Sequence, residues 1–93
     1  EGLEHKSYKF NTYSWTETKY DGFTVKMSDM SCNEGIDYII IILENGREIF
    51  NKNYDKADTL TVKAYQNNRY EVIVLNTSLN ILKYRVKINS YNK

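Results

Sequence analysis

A chain of 93 residues makes one domain, 1–93, with room for a single modest core. Hydrophobic residues at 41% and charged residues at 27% exclude a disordered chain. A net charge of +1, from 13 basic and 12 acidic residues, gives no electrostatic basis for a nucleic-acid partner or an anionic membrane surface.

Proline is absent and tyrosine numbers nine; with the many isoleucines this composition favours strands. No apolar run is long enough for a membrane span, and a lone Cys32 excludes an internal disulfide framework. The first residue is Glu1 rather than Met, which a removed secretory signal would explain. A secreted or cell-surface protein without disulfides is ordinary for Gram-positive bacteria. The abundance of Lys, Asn, Ile and Tyr fits an AT-rich coding sequence of that kind.

Residues 1–6 carry no pattern and are expected to fray. Residues 7–11 alternate Tyr8 and Phe10 with polar neighbours, so they read as a strand. The phase then slips, because Tyr13 and Trp15 are apolar at odd positions; a bulge near Asn11-Thr12 or a loop would produce that. Asp21-Gly22 reads as a turn, and Phe23, Val25 and Met27 as the inner face of the next strand. Residues 29–35 are polar around Met30 and Cys32 and read as a loop.

The most decisive stretch follows. Ile39 to Leu43 is an unbroken aliphatic run ending at Asn45-Gly46, with Ile49-Phe50 beyond. Isoleucine is β-branched and suits a pleated surface. Asn-Gly supplies the positive φ at both central positions that a type I′ turn needs. Residues 38–44 and 47–51 therefore form a hairpin, and a run apolar on both faces places its first strand inside a sheet with both faces covered.

Residues 51–58 are polar. Residues 59–64 alternate with Leu60, Val62 and Ala64 inward, and 66–69 form a turn, since Asn tolerates the left-handed region. Residues 70–75 read as a central strand and 76–80 as a loop. Leu82, Tyr84, Val86 and Ile88 then alternate with Lys83, Arg85, Lys87 and Asn89, whose charges also suit an edge. Seven or eight short strands and no helix predict an all-β fold: a two-sheet antiparallel β-sandwich, jelly-roll or Ig-like. Ile40, Ile42, Val72, Val74, Tyr84 and Val86 are the expected core.

From Gly22 to Ser90 the order of parts resembles the bacterial pre-peptidase C-terminal (PPC) domain. The resemblance is carried by DYIIIILENGREI, TLTVKA, RYEVIVLN and KYRVKINSY, and covers about three quarters of the chain. It departs where that family usually has Gly before the Tyr of the penultimate strand; here Arg69 precedes Tyr70. The resemblance implies a jelly-roll-like sandwich acting as a non-catalytic module of a secreted protein.

Catalytic chemistry finds little support. His5 is the only histidine, it sits in the unpatterned start, and nothing in the sequence pairs it with Cys32. Zinc lacks ligands. Calcium needs only clustered oxygens, which Asp55 with Asp58, or Asp29 with Glu34 and Asp37, would supply. Neither group matches an EF-hand loop, and loop carboxylates are ordinarily solvated. No enzyme, no metal and no cofactor are therefore expected. Asn76-Thr77-Ser78 matches a glycosylation sequon, which is accidental in a bacterial protein.

The aromatics are the remaining signal. Tyr13, Trp15 and Tyr20 lie where alternation breaks, with Thr16 and Thr18 between them. Rings beside hydroxyls suit a protein or carbohydrate ligand, although the lone Trp15 of a sandwich is as readily a core plug. The expected function is a non-catalytic binding module. The alternatives are a small secreted effector (toxin, bacteriocin or inhibitor) and a structural subunit of a phage or surface assembly.

Overall fold

The computed structural model describes residues 4–16 and 20–92. These fold into seven strands: β1 His5–Asn11, β2 Tyr20–Ser31, β3 Tyr38–Glu44, β4 Arg47–Tyr54, β5 Thr59–Lys63, β6 Arg69–Asn76 and β7 Lys83–Asn92. Two antiparallel sheets result, ordered β1-β6-β3-β4 and β5-β2-β7. This is the all-β sandwich expected from the alternation. Among the described residues no helix is long and apolar enough to cross a membrane.

The core lies between the sheets. Phe23, Val25 and Met27 of β2 and Leu60 and Val62 of β5 face Tyr38, Ile40, Ile42, Tyr70, Val72 and Val74 of the larger sheet. At one end Phe10 meets Phe23 edge-on at 4.9 Å and stacks on Tyr70 at 5.7 Å. The β3–β4 hairpin is as expected, with φ of 53° at Asn45 and 86° at Gly46. Both β3 and β6 are interior strands.

Several expectations need correction. Asp21-Gly22 is not a turn: it lies in β2, with a bulge between Tyr20 and Gly22. A Cβ at Gly22 would run into the Val62 carbonyl oxygen and the Tyr91 ring, so glycine here permits close approach of neighbouring strands. Asp29 to Ser31 are not loop either. β2 continues through them across a second bulge, with φ of 52° at Asp29. That bulge reverses the alternation, so Met30 packs on the core beside odd-numbered Met27.

β4 continues past Asn51 to Tyr54, its alternation disguised by Lys52, whose ammonium lies 5.2 Å from the centre of the Tyr54 ring. Tyr84 and Val86 are half-buried rather than fully buried, because β7 is an edge strand. β5 ends at Lys63, though Ala64 is buried as expected. Of the start expected to fray, residues 1–3 lie outside the described residues, and His5 and Lys6 belong to β1.

The outer faces of the two sheets differ in character. Over the three-stranded sheet the outer residues are Thr24, Lys26, Thr61, Lys63, Arg85 and Lys87, as alternation demands. Over the four-stranded sheet, Ile39, Ile41 and Leu43 of β3 lie beside Leu75, Ile73 and Glu71 of β6. These aliphatic side chains are half-buried by one another, and among the described residues no third layer of strands lies above them.

Candidate functional site

The break after β1 is a loop anchored by Thr12, a buried polar residue with no exposed surface. Its hydroxyl donates to the Tyr65 carbonyl at 2.6 Å and accepts from the Asn68 N–H at 3.0 Å. Its backbone N–H donates to Asn68 O at 2.9 Å, and its carbonyl accepts from the N–H groups of Trp15 and Asn67. A buried hydroxyl must be satisfied or it destabilises the fold. Here satisfaction joins the β1–β2 connection to the β5–β6 turn.

Tyr13 follows directly, and its N–H donates to the Asn11 side-chain oxygen at 3.1 Å. Its ring is 56% exposed, on a backbone held from both sides. It borders an open groove of about 480 Å³ lined by Lys9, Asn11, Leu43, Arg69 and Glu71, with Phe10 and Tyr70 beneath. Gly46 closes one side. That corner is tied to β6 by Asn45, whose N–H donates to Arg69 O at 2.7 Å and whose side chain accepts from Arg69 N at 2.9 Å.

Beneath the groove the Tyr70 hydroxyl donates to Glu44 at 2.7 Å and accepts from Tyr65 N at 3.0 Å. Burial raises its pKa above the ordinary tyrosine value. Donors on Asn68 and Tyr65 pull the other way, and the Glu44 carboxylate adds to the rise. Two cations, one carboxylate, an amide and a phenol line the groove above this hydrogen-bonded hydroxyl.

The other expected residues are distributed differently. Trp15 is half-buried and packs against the core. Thr16 is exposed, Tyr20 opens β2, and Thr18 lies outside the described residues. The pattern-based reading missed Lys9, Asn11, Arg69 and Glu71, which alternate as ordinary polar residues and converge only because β1 pairs with β6. It also missed Tyr65, 56% exposed and hung from the same Thr12 anchor.

At the opposite end Asp37 is occupied structurally. Its N–H donates to Ser78 Oγ at 2.8 Å, and its carboxylate accepts from Asn53. Asp29 pairs with Arg85 at 3.2 Å, and Asp58 accepts from Thr59 N. Among the described residues no three His, Cys, Asp or Glu side chains gather where they would hold a metal ion. Asn76 of the sequon is engaged by Ser78 N and Asn80 O. The Cys32 thiol is half-buried and faces Asn80 O at 3.6 Å.

Comparison with protein-family models, with curated proteins and with solved structures gives no match.

Proposed function

We propose that this is a non-catalytic binding module of a secreted or cell-surface protein, with its ligand in the Tyr13 groove. One observation carries the reading: an exposed tyrosine next to the buried, hydrogen-bonded Thr12 and beside a groove of mixed hydrogen-bonding groups. The exposed ring supplies stacking area, and Lys9, Asn11, Arg69 and Glu71 supply donors and acceptors. That combination suits a hydroxyl-rich ligand, so a glycan is the first candidate and a protein side chain the second. The resemblance to the PPC domain agrees with a module of this kind.

The test is a titration of isotope-labelled protein with soluble cell-wall oligosaccharides, neutral and acidic, followed by amide chemical shifts. Shifts should concentrate at Lys9, Asn11, Tyr13, Arg69 and Glu71. Tyr13→Ala should weaken binding by roughly 2 kcal/mol and change stability by less than about 0.5 kcal/mol. Shifts confined to another surface, or unaltered by Tyr13→Ala, would remove the groove from consideration. The structural-subunit reading has one observation in its favour, the aliphatic outer face of the larger sheet.

A further inference from the structure

The four-stranded sheet is built against edge pairing and open to face pairing. Lys6 on β1 and Lys52 on β4, both edge strands, sit in the row Lys6–Val74–Ile40–Lys52, so each points toward the core side. The Lys6 ammonium lies 5.6 Å from the centre of the Tyr84 ring. Inward lysines at both edges obstruct an added strand. The outer face carries three rows instead: His5–Leu75–Ile39–Asn53, Ser7–Ile73–Ile41–Asn51 and Lys9–Glu71–Leu43–Glu48. Five aliphatic side chains fill the centre and polar ones form the rim, the layout of an interaction surface. Lys9, Glu71 and Leu43 of the third row also line the Tyr13 groove, so a second copy on this face and a ligand in the groove exclude one another.

We propose that this face packs on the same face of a second copy of the chain. The charge pattern selects the occupant and its orientation. A two-fold axis along the strands, between β6 and β3, lays each β6 on the partner's β3 and each β1 on the partner's β4. Ile73 then meets the partner's Ile41, and Leu75 the partner's Ile39. Lys9, beside its own Glu71, stands opposite the partner's Glu48. An axis across the strands would instead set Lys9 over the partner's His5 and Glu48 over the partner's Asn53, without an ion pair, while Glu71 meets a leucine in either arrangement. The first arrangement is self-complementary, as an isologous interface requires. Lys26, Lys63, Arg85 and Lys87 over the smaller sheet repel a copy of themselves, so they do not compete.

Sedimentation of the whole chain over a concentration series tests this. A reversible dimer is expected. Ile41→Lys and Ile73→Glu, which avoid the Tyr13 groove, should each return it to monomer with the circular dichroism of the dilute protein unchanged. Lys9→Glu and Glu48→Lys should each weaken association roughly tenfold, and the two together should restore it. A chain monomeric at millimolar concentration overturns the proposal, as does a dimer indifferent to Ile41→Lys. If Ile41→Lys gives monomer but the double charge reversal fails to restore association, the two-fold arrangement is wrong.

Discussion

The Thr12 hydroxyl both donates and accepts, so valine, though close in shape, is not an equivalent there. Thr12→Val leaves the Tyr65 carbonyl and Asn68 N–H facing a methyl group. It should cost about 1–3 kcal/mol by urea denaturation, while Thr12→Ser retains most of the stability. Equal midpoints for the two variants would show that backbone bonds alone hold the connection. This residue also explains what a sequence reader sees near it. The slip in alternation after Phe10 is visible in one dimension, and it marks the anchor that presents Tyr13. The groove's other lining is not visible there. Lys9 and Glu71 are register partners across the β1–β6 pairing, 62 positions apart in the numbering, and each looks like an ordinary solvated residue in its own strand.

Along single elements, β3 offers an internal contrast. Ile40 is 1% exposed and faces the smaller sheet, whereas Ile41 points outward and is half-buried. Ile40→Ala should cost about 2–5 kcal/mol, since it opens a cavity between close-packed layers. Ile41→Ala in the dilute chain should cost clearly less, because only its neighbours on the same face pack against it. Similar losses from both substitutions would mean that both faces are covered in the dilute chain, as an apolar run of this kind first implies. The hairpin itself was legible because β-branching and the Asn-Gly pair each restrict the backbone to few conformations. Bulges are harder to read. A single inserted residue at Asp29 reverses inside and outside for Met30, and no propensity distinguishes it from a loop. The Asp21-Gly22 pair carries a turn's composition, but that glycine is required by the approach of Val62 and Tyr91, which only the folded sheet brings close. Lys52 hid the end of β4 because an edge strand accepts a charge on its inner side.

Across the whole molecule the tyrosines set the response to alkali. Tyr38 and Tyr54 stack at 5.3 Å toward one end, Tyr70 closes the other, and Tyr84 sits on β7. All four have pKa values raised by burial. Tyr38 is pushed up to about 12, with Asp58 contributing after burial. Tyr54 is also raised by Asp58, and Tyr84 by Tyr8 and Glu4. In the unfolded chain a tyrosine titrates near about 10. Below that pH both states keep the proton and stability is undiminished. Above it the unfolded state releases its proton first, so the folded state holds more protons and stability falls with rising pH. The melting temperature should therefore be level from neutrality to about pH 9. It should then decline as pH passes from the unfolded value toward the folded value near 12 for Tyr38. Because the four rings occupy both ends and the edge, the decline should be one cooperative transition, with circular dichroism and tyrosinate absorbance changing together. Tyr38→Phe gives the internal control. It loses the hydroxyl's bond to the Lys56 carbonyl at 2.8 Å, which should lower stability at neutral pH by about 0.5–1.5 kcal/mol. It also removes a group that resists ionisation, so the alkaline decline should become shallower. Tyrosinate absorbance that develops fully near the unfolded pKa while the sandwich stays folded would show that these rings are not held from water.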